Sequence, residues 1–396
     1  MDGPARQRSL WQHNLAVVLD EVRAATPTSR ARISQHTGLT RATVSALVDA
    51  LVRARLVDEV GPAPRGGAGR PATGLVLSPS GPAGLGLEIN VDYLAAAVVD
   101  LTGQVRHLEV RQVDQRGRAP AEVLADVADL AAGARRVAGL PLAGARLAVP
   151  GLVDAPGLVR LAPNLGWRDL DVLGPLTAAP DWPDLPVGID NEANLAALGE
   201  LATAGRERSF LYVSGEVGVG AGIVLDGALL RGTHGWSGEI GHVTVAADGP
   251  VCRCGARGCL EQYAGQEAIL RAAGVPAGEA LPADLAVRRL AELAGADDPA
   301  AIGALSAAGR ALGIVAAGVL NVLDLDAVVL GGSFAPLAGW LTGHVEREVA
   351  GRVLTAAWSP VCVRACSLGT RAAVVGAAGA VVREVLAAPS AWIDGG

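Results

Sequence analysis

The sequence predicts an α/β protein in which an N-terminal winged helix-turn-helix precedes a body of two similar α/β lobes. Two observations lead to this fold class. Residues 1–80 follow the order helix, helix, glycine turn, helix, strand, loop and strand. A strand meander then occurs twice, from Leu85 and again from Phe210, and each copy is followed by helices and further short strands. A repeated order of this kind predicts two mixed sheets with helices on their faces.

The charge of the chain is unevenly distributed. Residues 1–80 contain ten arginines and six acids, a balance of +4, whereas the remainder contains 23 arginines and 34 acids, a balance of −11. A small basic module on an acidic body indicates contact with nucleic acid. No signal peptide is visible, and charged residues or prolines interrupt every apolar run before it reaches the roughly eighteen residues of a membrane span. We therefore expect a cytoplasmic protein without membrane contact.

Three helices are predicted in the basic module. Apolar residues at helical spacing indicate helices over 10–25 and 40–54, and a shorter helix over 30–37 ends at Gly38. The last of these helices carries short polar side chains and an arginine near its N-terminus, where they would reach base edges in a major groove. A helical hairpin with a solvated polar face is the alternative. The candidate DNA-contacting residues of this helix are Thr40, Arg41, Thr43 and Ser45.

A wing follows the helices. Strands over 56–60 and 75–77 enclose a basic loop rich in glycine and proline, which completes a winged helix-turn-helix over residues 1–80. In this loop Arg65 can hold a phosphate, and Arg70 beside Pro71 can enter a narrow minor groove. A flexible linker between domains would have the same composition. We predict that the module binds double-stranded operator DNA.

A cluster of metal-ligand types lies in the second half of the chain. Cys252, Cys254 and Cys259 lie close together with glycines between them, and His242 precedes them across a short strand and a turn. One histidine and three thiolates suit a closed, tetrahedral, structural zinc site. The alternative is a redox pair or three unrelated buried thiols. Glu239 precedes His242 by three residues, so the contacts that fix the histidine would also orient this carboxylate.

The spacing Glu-x-x-Gly-His followed by Cys-x-Cys-Gly-x-x-Gly-Cys-x-Glu closely resembles the signature of the ROK family, which groups bacterial sugar-responsive repressors with sugar kinases. The Thr-x-x-Thr-Val-Ser helix and the Gly-Arg-Pro wing also resemble ROK repressors, although Ala46 stands where the family commonly has arginine. The resemblance implies the actin-like or ribonuclease-H-like two-lobe ATPase fold. It implies a first lobe over 81–200, completed by a returning helix over 370–390, and a second lobe over 201–369 that carries the zinc site.

The resemblance also implies a sugar site between the lobes. The loop around Asn164 is similar to the family's sugar loop, and Asn191-Glu-Ala-Asn194 is similar to a block in which the kinases carry Asn-Asp-Ala-Asn. Asn191 and Asn194 could instead be helix caps. The remaining candidates are Glu192, Glu239 and His242, the last of which would bind zinc through one ring nitrogen and face the sugar.

The motifs favour a repressor over a kinase. The stretch from Glu88 to Tyr93 has neither the glycines nor the threonine of a kinase phosphate loop, and Glu216 places an acid in the second such loop. We therefore expect no ATP binding and no enzymatic activity. An active sugar kinase with an added DNA-binding domain is the alternative, and a purely structural zinc protein is a third hypothesis. A homodimer or a dimer of dimers is expected. The sequence does not identify the sugar, although the Asn-Glu-Ala-Asn block leans towards xylose. It also does not indicate whether sugar weakens or strengthens DNA binding.

Overall fold

The computed structural model of the chain describes residues 5–62, 73–154, 157–203, 207–276 and 282–395. Its first part is a three-helix module with a two-stranded antiparallel wing. Ser29 caps the second helix, Gly38 ends it with a φ of 73°, and Thr40 caps the third. The predicted helix-turn-helix is therefore present. Its elements are α1 (Ala5–Ala24), α2 (Arg30–Thr37), α3 (Arg41–Arg53), β1 (Val57–Pro62) and β2 (Thr73–Leu77).

The first lobe is built on a five-stranded sheet. Three antiparallel strands form its meander, and two further strands add in parallel beside the first of them. A small three-stranded sheet is attached at its edge. The elements are β3 (Ala83–Ile89), β4 (Tyr93–Val99), β5 (Val105–Gln112), α4 (Pro120–Ala138), β6 (Leu142–Val149), β7 (Leu152–Val153), β8 (Leu158–Ala162), β9 (Trp167–Asp171), α5 (Leu173–Thr177), β10 (Val187–Asn191) and α6 (Glu192–Thr203).

The second lobe repeats this plan with a second five-stranded sheet and a larger set of helices. Of the two cysteines near its C-terminal end, Cys362 is exposed and Cys366 is buried. The elements are β11 (Phe210–Gly215), β12 (Val219–Leu225), β13 (Ala228–Leu229), α7 (Glu261–Ala264), α8 (Gln266–Ala272), α9 (Ala283–Gly295), α10 (Pro299–Leu323), β14 (Ala327–Gly332), α11 (Ala338–Arg352), β15 (Cys362–Ala365), α12 (Ala372–Ala387) and α13 (Pro389–Gly395).

The two sheets have the same topology. The first has the order β10-β6-β3-β4-β5 and the second the order β15-β14-β11-β12-β13, so corresponding strands occupy corresponding positions. In each sheet the first strand pairs in antiparallel with the second strand of its meander and in parallel with the fourth strand. The fold class predicted from the repeated meander is confirmed, and the cleft between two such lobes is where the candidate site lies.

Helix α6 crosses from the first lobe to the second. It directly follows the last strand of the first sheet, yet it packs against β12 of the second, where Gly222 leaves room for Ala193 and Ala197. Its Glu200 is bound by Arg364 of β15. The helix thus lies at the lobe boundary predicted at residue 200 and packs mainly against the sheet of the second lobe. Since the helix is apolar on most of its surface, its sequence pattern does not indicate which sheet it covers.

Helix α12 makes the opposite crossing. It lies on β3 of the first sheet, and a Cβ on Gly84 or Gly86 would come closer than 3.0 Å to the backbone of this helix. It also packs along α6, where Gly376 faces the backbone of Leu195 with no room for a side chain. Helices α6 and α12 thus form a close pair at the junction of the two lobes.

The winged helix-turn-helix docks on this same C-terminal region. Ala378 and Val382 of α12 belong to the hydrophobic core formed by α1, α2 and α3. Trp392 of α13 donates its indole N–H to the carbonyl oxygen of Ala54 at 3.2 Å, and Arg8 pairs with Asp394 at 2.8 Å. The winged module is therefore packed on the helix that covers the first sheet.

Helix α10 is the one described helix that is long and apolar enough to cross a membrane by length and composition. Ten or more of its residues, among them Leu305, Leu312 and Leu320, lie in the core of the second lobe against α11. Asp298 caps it by accepting from the backbone N–H of Ala301 at 2.9 Å. Its apolar composition is explained by this burial.

Candidate functional site

The four predicted metal ligands converge in the structure. One ligand atom from each of His242, Cys252, Cys254 and Cys259 lies within 4.8 Å of all the others. Nδ1 of His242 is 3.8 Å from Sγ of Cys252, and Sγ of Cys254 is 3.7 Å from Sγ of Cys259. Zinc–sulfur bonds of about 2.3 Å in a tetrahedron place sulfur atoms about 3.8 Å apart. The group has the spacing to hold a metal ion.

The thiols of this cluster differ in acidity. The backbone N–H of Ala256 and the neighbouring thiols lower the pKa of Cys254 to about 7, whereas burial raises the pKa of Cys259 to about 12. A divalent cation would stabilise both as thiolates, because it supplies the positive charge that a buried thiolate otherwise lacks. The loop is also held by backbone pairing, through Thr244 with Cys259 and Val251 with Arg257.

A tight turn between β11 and β12 reaches across the cleft to the first lobe. Glu216 in this turn accepts a hydrogen bond at 3.2 Å from the side-chain amide of Asn90, which follows β3. Its other carboxylate oxygen lies against Gly332, where an added Cβ would be only 2.8 Å away. Glu216 thus occupies the space between the two loops that the sequence compared with kinase phosphate loops.

Three carboxyl groups line a small cavity at this point. Glu88, Glu192 and Glu216 surround a space of about 10 Å³, comparable to the volume of one water probe. Glu88 is buried and accepts a hydrogen bond from the hydroxyl of Tyr93 at 2.6 Å. Burial raises its pKa to about 7, and burial together with the charge of Glu88 raises the pKa of Glu216 to about 8. The cavity therefore favours protonated carboxyl groups and disfavours a phosphate.

These raised pKa values predict a stability that falls as the pH rises. Glu88 and Glu216 are protonated in the folded protein at pH values where they are ionised in the unfolded chain, with an ordinary pKa of 4.5. The folded state then binds more protons than the unfolded state between about pH 4.5 and pH 8, and each extra proton lowers the stability by up to about 1.4 kcal/mol per pH unit. Urea unfolding of the wild type across this range should show the decline.

The matched variants are Glu216→Gln and Glu346→Gln. A glutamine at position 216 can still accept from Asn90 but does not ionise, so its stability should change less with pH than that of the wild type. Glu346 is exposed on α11, and its replacement should leave the wild-type slope unchanged. Equal slopes for all three proteins would contradict the assignment of the pH dependence to this cavity.

Glu192 lies at the start of α6, near other acidic side chains of the cleft. Burial raises its pKa well above the usual value, and the charges of Glu216, Glu88 and Glu239 add to the effect. Of the five residues predicted to bind sugar, Glu192 and Glu239 therefore interact electrostatically, one from the start of α6 and the other from the segment that precedes the cysteines.

The side chain of Asn191 caps the N-terminus of α6. Its side-chain oxygen accepts from the backbone N–H groups of Ala193 and Asn194, and its amide donates to the carbonyl oxygen of Gly151 at 2.9 Å. This is the helix-cap alternative that the sequence left open. The preceding Asp190 pairs with Arg231 of the second lobe at 2.6 Å, which adds another link across the cleft.

Asn164 lies apart from this group, in the wall of a larger cavity of about 750 Å³ between the lobes. The cavity is bounded on the other side by Val217, next to Glu216 in the turn, and by Arg253 of the loop that carries the three clustered cysteines. Glu261, which the sequence prediction omitted from the sugar site, packs against Gly218 of the same turn. Its position two residues after Cys259 in the cysteine motif is the sequence signal that makes it a further candidate.

The predicted DNA-contacting residues of α3 are displayed on the module's surface. Arg41 is exposed, and among the described residues it has no ion-pair partner. Thr40 is the N-cap and bonds Thr43 at 2.8 Å between the hydroxyls, while Ser45 is half-buried. Arg65 and Arg70 lie outside the described residues.

The sequence profile of the ROK family matches residues 84–384. The chain belongs to the ROK family. It is 31% identical to the xylose repressor of Bacillus subtilis (strain 168) over 96% of this chain and 98% of that protein. A glucokinase of Streptomyces coelicolor is 29% identical but matches only 74% of this chain.

Solved ROK structures show the same division. A ROK family transcriptional regulator, described as a homologue of the E. coli MLC protein, superposes with a TM-score of 0.79 at 25% identity and covers 97% of this chain and 99% of its own. A ROK glucokinase from Streptomyces griseus, in complex with glucose and AMPPNP, gives a TM-score of 0.65 at 27% identity and covers 75% of this chain and 98% of its own. The regulator matches nearly the whole chain, including the N-terminal module, and the kinase matches about three quarters of it.

Proposed function

We propose that this ROK protein is a sugar-responsive transcriptional regulator, and specifically a repressor that leaves its operator when sugar binds between the lobes. The main support is that the relatives matching the chain over its whole length, winged module included, are named as xylose repressors or as a transcriptional regulator. We place its action in the cytoplasm, where an operator and a sugar are both accessible. Xylose is the first sugar to test, because the Asn-Glu-Ala-Asn block and these relatives both favour it.

DNA recognition is assigned to α3 and the wing. Arg41→Ala should weaken binding to the preferred duplex by about 1–3 kcal/mol, since an arginine at the N-terminus of a recognition helix can bind a base edge with two hydrogen bonds. Arg70→Ala should cost a similar amount, mainly on A·T-rich flanks. The measurement is a titration of fluorescent duplexes selected by the wild type from a random pool. The control is Arg53→Ala, which removes the same charge from the opposite end of α3.

Equal affinity of Arg41→Ala and wild type for the selected duplex would contradict this assignment. A loss of affinity that is the same for selected and random duplexes would assign Arg41 to phosphate contact instead of base recognition.

Sugar binding is assigned to the cleft lined by Asn164, Glu192, Glu239 and His242, with Asn191 in a supporting position. Carboxylates and an imidazole from both lobes can accept and donate to vicinal hydroxyl groups, and the Nδ1 of His242 faces the cysteines, which leaves Nε2 for a ligand. A ligand that contacts both lobes only when they are closed stabilises that state by its difference in affinity.

Glu239→Ala should separate sugar response from DNA binding. We expect near-normal operator affinity without sugar and loss of the sugar-induced change, which for a coupling of about 1–3 kcal/mol is about 5- to 150-fold in the wild type. The experiment is operator titration with and without each sugar of a panel. Asp248→Ala, an exposed acid in the same segment, should respond as the wild type does. A Glu239→Ala protein with a full response would place the ligand elsewhere.

We further propose that zinc is the resident metal and that the protein lacks kinase activity. Zinc suits one imidazole and three thiolates, and its function here would be to fix His242 beside the cleft. The side chain of Glu216 fills the space beside Gly332, and the carboxyl groups around it leave a cavity of only about 10 Å³ without a cation to bind ATP phosphates. Partial matches to glucokinases keep a sugar kinase as the second candidate. An assay of ATP consumption with hexoses and pentoses distinguishes the two, because a regulator should consume none.

A homodimer is the expected assembly of this regulator. Two recognition helices must be about 34 Å apart, or a multiple of that distance, to enter successive major grooves on one face of DNA. A small rotation within each subunit would therefore disturb both contacts together. The packing of α12 on the winged module offers a route by which lobe movement reaches the DNA-binding helices.

A further inference from the structure

The larger interlobe cavity has a basic wall that the proposed sugar contacts do not explain. It has a volume of about 750 Å³ and is formed by the loop before α4, the turn between β8 and β9, and second-lobe residues near the metal-binding loop. Four arginines line it, from three separate segments, against a single carboxylate, Glu267. Arg118 pairs with Asp126 at 2.9 Å, so the positive charge that a ligand could use comes mainly from the other three arginines. The arginines are Arg116, Arg118, Arg168 and Arg253.

The arginines have different degrees of internal pairing. Arg253 pairs with Glu267 at 3.1 Å within the wall. Arg116 pairs with Asp92 and Asp114, and both pairs use the same terminal nitrogen, Nη1. These two aspartates do not line the cavity. The guanidinium of Arg116 therefore keeps hydrogen-bond donors beyond those its carboxylate partners use, since the group has five.

Of the four arginines, Arg168 is the one whose charge is least neutralised by acidic partners. It lies on β9 directly after the buried Trp167, its side chain is exposed, and it forms no ion pair with another described residue. Its neighbours on the same hairpin, Arg160 and Asp169, pair with each other at 3.0 Å. Since Asn164 lies in the turn that leads to β9, a ligand held by Asn164 would be within the same cavity as Arg168.

The adjoining small cavity has the opposite character. Glu88, Glu192 and Glu216 line it, and Glu216 is next in sequence to Val217 of the basic cavity. Carboxyl groups form hydrogen bonds with hydroxyl groups and offer no positive charge to an anion, whereas arginines bind phosphate and carboxylate oxygens in pairs. The turn between β11 and β12 thus lies between an end of the cleft that suits hydroxyl groups and an end that suits an anion.

We propose that the effector of this regulator is an anionic sugar, whose hydroxyl groups face the acids and whose phosphate or carboxylate lies among Arg116, Arg168 and Arg253. The inference rests on the proposed function, because it assigns the ligand class of the same cleft. A phosphate ester and a sugar acid share the required chemistry, and they differ in charge and in the number of oxygens that the arginines can bind.

The test compares neutral and anionic forms of one sugar on the full-length protein. Calorimetric titrations with D-xylose, D-xylose 5-phosphate and D-xylonate, and with glucose, glucose 6-phosphate and gluconate, should give at least one anionic ligand that binds about tenfold or more tightly than its neutral parent. That preference should weaken as salt is raised, because salt screens exposed charges. The phosphate and carboxylate arms identify which anion is used.

Two substitutions assign the effect to the cavity. Arg168→Gln should weaken binding of the anionic ligand about tenfold and leave the neutral sugar unaffected, whereas Arg136→Gln, an exposed arginine on α4, should change neither. Neutral sugars binding as tightly as every anionic form, or Arg168→Gln without effect on the anionic ligand, would overturn this inference alone. Failure of every sugar, neutral or anionic, to bind or to alter operator affinity would overturn the proposed function as well.

Discussion

Replacing Cys254 and Cys259 together by serine is expected to reduce the metal content from about one ion per chain to none and to abolish the sugar response. Serine hydroxyls are poor zinc ligands at neutral pH, and two remaining ligands do not hold the ion. His242 would then lose the contact that orients its ring towards the cleft. Elemental analysis of the purified protein measures the first effect, and operator titration with and without sugar measures the second.

The rest of the protein should survive this change. The backbone pairing of Thr244 with Cys259 and of Val251 with Arg257 keeps the loop attached, and the winged module is remote from it, so operator affinity without sugar should be near that of the wild type. Cys362→Ser, at an exposed thiol on β15, makes the same chemical change without touching the cluster. Full metal content in the double variant, or an intact sugar response without metal, would refute the assignment.

Gly376→Ala is expected to lower the free energy of unfolding by about 3 kcal/mol or more and to alter the coupling between sugar and operator. A Cβ at this position would be closer than 3.0 Å to the carbonyl group of Leu195 and to the backbone nitrogen of Gly199. Backbone atoms cannot rotate away, so α12 and α6 must separate, and overpacking of this kind commonly costs about 1–3 kcal/mol and sometimes more.

Gly379→Ala provides the control on the same helix. A Cβ there meets nothing within 4 Å, and alanine is favoured over glycine in a helix by about 1 kcal/mol, so this variant should be slightly stabilised. Urea unfolding compares the two proteins, and operator titrations with and without sugar show whether displacement of α12 changes the response. If both variants have the same stability, the α6–α12 contact is not as close as the structure describes.

Local signals in the sequence predicted much of the fold. Helix α2 has the predicted bounds, 30–37, because Ser29 and Gly38 supply a cap at one end and a left-handed residue at the other. The metal ligands were predicted from their spacing, which places them in one loop with a nearby histidine. In each case the information lies within a few residues of the feature.

Features that depend on distant contacts were not predictable in this way. The crossing of α6 to the second sheet depends on glycines such as Gly222 in another lobe. The hydrogen bond between Asn90 and Glu216 joins residues far apart in the chain, as does the meeting of Arg168 with Arg253 around one cavity. Asn191 illustrates a different limit, since the same residue type suits a helix cap and a sugar ligand.

The docking of the winged module on α12 and α13 also has a consequence for biosynthesis. A ribosome completes the DNA-binding helices first and the helix that covers β3 only after both sheets have been made. Until then, Leu75 and Leu101 lack the apolar partners Ala378 and Val382, and the glycine-rich face of β3 is bare. The nascent chain therefore exposes this apolar surface until its C-terminal helices emerge, and we expect chaperones to bind it during synthesis. A regulator with its full set of module contacts exists only after the C-terminal helices have folded back.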